Sequence, residues 1–146
     1  MVAIRRLGQE DLPLMRAAQH LFDKPLQEAA ARRFLGLPDH HLLLAFEGSR
    51  PVGFVSGVEL TYPDKGAEMF LYELGVEPAF QRRGIGKQLV NALAELVVAQ
   101  GCYGMWVVVD PDNTGALATY RSAGAEPPSH SVVFTWSFSA PESRSA

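Results

Sequence analysis

Between Glu68 and Asp110 the spacing of apolar residues changes period twice, and this restricts the fold more than any other feature of the chain. The run "EMFLYELGV" (68–76) is short and rich in aromatic and branched residues, so it reads as a strand. From Gly84 to Gln100, Ile85, Leu89, Val90, Leu93, Leu96 and Val97 recur at helical spacing. "CYGMWVVVD" (102–110) is then a continuous apolar strand. Strand, helix and strand in one sheet make a right-handed crossover, so the two strands run parallel.

The elements before this unit read as an antiparallel meander. "VAIRRL" alternates as a short strand, and "GQEDLPLMRAAQHLF" opens a helix with Asp11 as its cap and Pro13 in its first turn. A second helix runs from Leu26 to Leu37 and stops at "GLPD". "HHLLLAFEG", "SRPVGFVSGVEL" and "EMFLYELGV" are successive strands joined by the turns "EGSRP" and "TYPDKG". After the crossover, "NTGALATYRSAG" is a short helix ending at Gly124, and "HSVVFTWSF" is a last strand with Val132, Phe134, Trp136 and Phe138 on one face. The expectation is an α/β (α+β) fold: a mixed, mostly antiparallel sheet flanked by helices around a central β-α-β unit. Residues 1–138 form one domain and 139–146 a flexible tail.

The 146 residues suffice to bury about two-thirds of the surface of the unfolded chain. Thirteen Lys and Arg against sixteen Asp and Glu argue against a nucleic-acid surface and accord with a cationic small substrate. No apolar run approaches the roughly 20 residues of a membrane span, and "MVAIRRLGQEDL" has no apolar signal core, so a cytoplasmic location is expected. With Cys102 as the only cysteine, neither an intrachain disulfide nor a cysteine zinc cluster can form. His40 and His41, adjacent on a strand, point to opposite faces, so no metal site is expected.

The central helix begins in an unusual way. Its N-terminus, already positive through free N–H groups and the macrodipole, carries Arg82, Arg83 and Lys87. An anion held between them makes the arrangement favourable, and Gly84 and Gly86 let main-chain N–H groups approach its oxygens. The alternative is a turn whose arginines lie in water, and local features weigh the two evenly. A P-loop is excluded because Gln88 follows Lys87 where Ser or Thr is needed, and the dinucleotide fingerprint fails at Leu89.

"ELGVEPAFQRRGIGKQLV" resembles the acetyl-coenzyme A motif of the GNAT superfamily of N-acetyltransferases, with Gln81, Gly84 and Gly86 in the signature positions. A second family motif matches "NTGALATYRSAG", where Asn113 stands seven residues before Tyr120. The order of elements matches from Val2 to Phe138. Within the superfamily, "EMFLYELGV" and "RRGIGKQLV" look like the small aminoglycoside 3-N-acetyltransferases, which have an acidic residue at the position of Glu73. The resemblance implies acetyl-CoA as cofactor, a small-molecule primary amine as acceptor, and a homodimer. Where those enzymes carry acidic residues after the fifth strand, this chain has Asp110, Asp112 and then Asn113. A protein N-terminus, lysine or polyamine acceptor is the alternative, as is a non-catalytic acetyl-CoA sensor.

The resemblance also implies residue roles. Glu73 is the candidate base for the amine, and its apolar surroundings in sequence would raise a carboxylate's pKa. Main-chain N–H groups from Leu74 through Gly75 to Val76 are candidates for the acetyl carbonyl oxygen. Gln81, Arg82, Arg83, Gly84, Ile85, Gly86 and Lys87 hold the pyrophosphate. Tyr120 is the candidate acid for the departing thiolate and a cofactor contact. Asn113 either caps its helix or bonds the pantetheine arm. Glu68, Tyr72, Glu73, Asp110 and Asp112 are candidate acceptor contacts, with Glu59 and Asp64 as further acidic residues near strand ends.

Overall fold

A computed structural model describes residues 1–139. Five strands lie in the order β1-β2-β3-β4-β5. They are β1 (Ala3–Arg6), β2 (His40–Glu47), β3 (Arg50–Tyr62), β4 (Gly66–Val76) and β5 (Met105–Trp106). The first four pair antiparallel and β5 joins β4 in parallel, giving the expected mixed, mostly antiparallel sheet. Four α-helices flank it: α1 (Leu12–Ala17), α2 (Glu28–Gly36), α3 (Ile85–Ala99) and α4 (Thr114–Ser122).

Alternation along the strands feeds two cores. On one face Leu43, Ala45, Val52, Val55, Met69 and Leu71 pack against Ile85, Leu89, Val90, Leu93 and Val97 of α3. On the other, Leu42, Leu44 and Phe54 meet Leu12, Met15, Ala18 and Ala31 of the α1–α2 layer. Gly57 lets α3 approach the sheet, because a Cβ there would lie 2.9 Å from the Met69 sulfur and 3.2 Å from Leu93.

Several sequence expectations need correction. The helix expected from Gln9 is broken into α1 and a 3-10 turn on either side, Gln9–Asp11 and Gln19–Leu21. Asp11 does not cap α1 with its side chain; its carboxylate accepts from the Gly8 N–H at 2.8 Å and pairs with Arg5. The second helix starts at Glu28 rather than Leu26. "CYGMWVVVD" is not a continuous strand, since only Met69–Met105 and Phe70–Trp106 are paired. "HSVVFTWSF" is not a strand of this sheet, and its large side chains are exposed. Of the expected tail, 140–146 lie outside the described residues.

Candidate active site

The end of β4 is shaped by an irregularity in its ladder with β3. Ser56 pairs with Glu73 and the next residue, Gly57, pairs with Leu71, leaving Tyr72 as an extra residue. Such a bulge re-aims the side chains around it. Met69 and Leu71 face α3, yet both Tyr72 and Glu73 border a cavity of about 390 Å³ on the opposite face. The Ser56 hydroxyl accepts from the Glu73 N–H at 3.2 Å.

The cavity lies between β4 and the α1–α2 layer. Its walls are largely apolar, with Met15, Phe22, Pro25, Leu26, Phe34 and Phe54 among them. Glu73 reaches solvent at its border, and these walls push its carboxyl above the usual carboxylate range, with the charge of Asp23 adding to the effect. Gly75 pairs with Phe54 across the ladder, and a Cβ on Gly75 would fall 2.7 Å from the Phe54 ring. The ring that walls the cavity therefore occupies the space a side chain at 75 would need.

Next to this cavity the sheet opens. The β4–β5 ladder stops at Phe70–Trp106, so Leu74, Gly75 and Val76 lie beyond the last paired residue of the parallel edge. The chain then turns through a 3-10 segment, Pro78–Phe80, into α3. Gln81 ties that turn down by donating its side-chain N–H to the Val76 carbonyl at 3.0 Å. Arg82 has φ of 64° and Gly84 of 78°, two left-handed residues that bend the main chain into the helix. Gly84 provides no side-chain cap, and the first helical bond runs from Gln88 N–H to the Gly84 carbonyl. The N–H groups of Ile85, Gly86 and Lys87 precede that bond and face out of the helix end.

Around these donors Arg82, Arg83 and Lys87 are exposed. The Arg83 guanidinium lies 4.9 Å from the centre of the Phe80 ring, a cation–π contact that holds it beside the turn. Ile85 is different: its side chain is buried in the α3 core, so only its main chain is available. Gly86 sits where α3 meets α4, and a Cβ there would be 3.2 Å from the Thr119 methyl. Such a helix start fits a pyrophosphate: three main-chain donors ahead of the first helical bond, positive dipole, exposed cations and no competing side-chain cap.

The α4 residues divide in role. Tyr120 is half-buried against the α3 core, and burial raises its hydroxyl pKa, so it stays protonated at neutral pH. Asn113 caps α4, accepting from the Ala116 N–H at 3.1 Å. The Asp110 carboxylate accepts from the Asp112 N–H at 2.9 Å, and both residues are exposed before α4, outside the cavity lining. Glu68 is also apart from Glu73, five residues away along β4 or roughly 15 Å at strand spacing. It accepts from the Tyr62 hydroxyl at 2.6 Å, which holds its carboxyl below the usual range. Glu59 binds His41 at 2.5 Å instead of an acceptor site, and Asp64 pairs with Lys65 in the exposed turn after β3.

Thus Tyr72, Glu73 and the Leu74–Val76 backbone come together, and the cation loop adjoins them through Gln81. Sequence reasoning missed Phe22, Asp23, Pro25 and Phe34, which come from the irregular α1–α2 region. No local motif marks them. Among the described residues no group of three or more His, Cys, Asp or Glu side chains could hold a metal, and no helix is long and apolar enough to cross a membrane.

The same architecture occurs in known proteins. Residues 6–125 match the model of the acetyltransferase (GNAT) family. The chain is 33% identical over 122 residues to the N-alpha-acetyltransferase RimI of Mycobacterium tuberculosis, spanning 84% of this chain and 75% of that protein. A crystal structure of an aminoglycoside acetyltransferase from an uncultured soil metagenomic sample superposes with a TM-score of 0.80 at 25% identity, covering 94% of this chain and 99% of the other. An aminoglycoside N-acetyltransferase in complex with CoA gives a TM-score of 0.78 at 21% identity, covering 93% and 95%. With a family match over residues 6–125, most of its length, this chain belongs to the acetyltransferase (GNAT) family.

Proposed function

We propose that the chain transfers acetyl from acetyl-CoA to the α-amine of a polypeptide whose first residues enter the cavity beside Glu73. Family membership makes it an acetyl-CoA-dependent N-acetyltransferase, and the residue roles follow from geometry and chemistry. Acetyl-CoA supplies an activated acetyl group on a thiol of ordinary acidity.

On this reading the N–H groups of Ile85, Gly86 and Lys87, with Arg82 and Arg83, hold the pyrophosphate. The splayed end of β4 directs the main chain of Leu74–Val76 at the acetyl carbonyl, where an N–H donor stabilises developing negative charge. Glu73 accepts the proton of the incoming ammonium, directly or through one water, so that nitrogen attacks as the neutral amine. Its raised pKa makes it a better proton acceptor than an ordinary carboxylate. Tyr120 gives a proton to the departing sulfur.

The observation that carries the choice of acceptor is the cavity wall. An aminoglycoside presents several ammonium groups and asks for several carboxylates, whereas Glu73 is the one carboxylate lining this cavity and Lys24 lines it too. Apolar walls around one carboxylate suit one amine followed by small or apolar groups. The N-alpha-acetyltransferase relative, 33% identical to this chain, supports the same reading.

An aminoglycoside acceptor is the second reading, favoured by the soil-metagenome structure and by Asp23, whose charge acts on Glu73 beside the cavity. A thiol-release assay over a panel of N-terminal peptides, aminoglycosides and polyamines separates them. Turnover on peptides at a kcat/KM at least about tenfold above any aminoglycoside, some 1.4 kcal/mol of discrimination, is expected. The reverse order overturns the peptide reading, and CoA binding without turnover on any amine indicates a sensor.

A further inference from the structure

The hairpin between β2 and β3 carries a cation that the proposed chemistry leaves unused. Arg50 is the first residue of β3, paired with Glu47 in the ladder, and its side chain is 61% exposed. It nevertheless makes two contacts with the segment that leads from β4 into α3. Its Nη2 donates to Oε1 of Glu77, the residue that follows β4, and its guanidinium lies 5.8 Å from the centre of the Phe80 ring. On the same ring sits the Arg83 guanidinium, at 4.9 Å. Both distances fall within the roughly 6 Å over which a ring attracts a cation. One aromatic ring therefore joins a cation of the hairpin to a cation of the helix-start loop.

Glu77 fixes the other end of the same turn. Its N–H donates to the Val52 carbonyl at 2.9 Å, and its carbonyl accepts from the Phe80 N–H at 2.8 Å. Its carboxylate is only 17% exposed, and its Oε2 is buried with no hydrogen-bond partner among the described residues. A carboxylate so placed needs a cation close by. Arg50 supplies it at hydrogen-bond distance, whereas His20 stands 3.8 Å from the same Oε1.

We propose that Arg50 is a positioning residue for the coenzyme. By holding Glu77 and Phe80, which bracket the 3-10 turn, it fixes how the loop presents Arg83 and the first N–H groups of α3 to the pyrophosphate. It does so without touching the coenzyme itself. The inference rests on the reading of this loop as the pyrophosphate cradle. An ordinary surface ion pair would contribute little. Here loss of Arg50 leaves a mostly buried charge facing a histidine alone, and it frees both ends of the turn at once. A displacement of about 1 Å is enough to spoil the aim of positioned donors.

Calorimetry of CoA binding to the wild type, Arg50→Gln, Arg83→Gln and the double variant tests this role. Arg50→Gln should weaken CoA about tenfold. In an Arg83→Gln background the same change should cost no more than about threefold, because part of its effect runs through Phe80 to Arg83. Arg50→Lys keeps the charge for Glu77 but loses the planar face over Phe80, so its affinity should fall between those of wild type and Arg50→Gln. Should Arg50→Gln fail to fold, Arg50→Lys carries the same cycle with Arg83→Gln. Unchanged affinity in the Arg50 variants, with Arg83→Gln weakened, would overturn this inference alone. Unchanged affinity in the Arg50 and Arg83 variants alike would overturn the cradle reading with it. Fully additive losses would mean that Arg50 acts independently of Arg83, and would overturn the positioning role.

Discussion

Tyr72 and Glu73 are neighbours in sequence and border the same cavity, because the β3–β4 ladder passes over Tyr72 between Leu71 and Glu73. In a regular strand they would face opposite sides, and Glu73 would point with Leu71 into the α3 core. The bulge delivers the proposed base to the acceptor side, next to the point where β4 parts from β5.

Gly75 is held to glycine by the Phe54 ring across the ladder. In Gly75→Ala the new methyl overpacks the site and should cost about 1–3 kcal/mol in denaturant unfolding. It should also raise KM for the amine, because Phe54 walls the cavity. Adding Phe54→Leu should restore much of the stability; an unaltered midpoint in Gly75→Ala would show that the ring moves freely.

Arg82 and Arg83 flank the start of α3 and are exposed, so reversing both charges should leave the fold intact. Calorimetry should show CoA binding weakened at least about tenfold, with a smaller salt dependence than the wild type. Equal affinity would place the pyrophosphate elsewhere.

Tyr120 keeps its proton at neutral pH because burial raises its pKa. Tyr120→Phe should lower kcat by about 10- to 100-fold, the low end of acid catalysis, since a thiol of pKa near 8.5 leaves readily without help. A kcat equal to wild type would assign the residue to packing alone.

His41 is buried, donates from Nε2 to Glu59 at 2.5 Å and accepts from Arg6 at Nδ1 over 2.9 Å. Burial lowers its pKa first of all, with Arg6 adding to this, while Glu59 and Asp39 oppose it. The unfolded chain therefore takes up a proton near pH 6.5 that the folded chain refuses. Stability from this group is complete above about pH 6.5 and falls as acid approaches the lower folded pKa. Urea midpoints should drop on acidification over that window, and His41→Gln should flatten the slope. A slope unaffected by the substitution would assign the acid sensitivity to other groups.

The readable parts of the molecule were those governed by period or by main-chain chemistry. Ile85, Leu89, Leu93 and Val97 mark α3 by spacing and indeed line its core, and Gly84 before them takes the left-handed conformation of the loop. Asn113 was open between two roles and caps α4. The bulge at Tyr72 was hidden, because no glycine or proline adjoins Tyr72 on β4, and Gly57 across the ladder is also required by the close approach of Leu93. The cavity wall was hidden too, since Phe22, Pro25 and Phe34 meet only when separate segments fold together. The alternation in 131–138 misled, because among the described residues this segment pairs with no strand and its large side chains stay exposed.

The central claim is that Glu73 takes the proton from an amine while the α3 loop holds the coenzyme. Turnover and CoA affinity measured on the same samples of wild type and Glu73→Gln, across pH, test both halves. With Glu73 as the base, the expected result is equal affinity, a kcat about 100- to 10,000-fold lower in the variant, and a wild-type rate rising with pH through an inflection above the ordinary carboxylate range. A variant that turns over as fast as wild type, with the same pH profile, would contradict it.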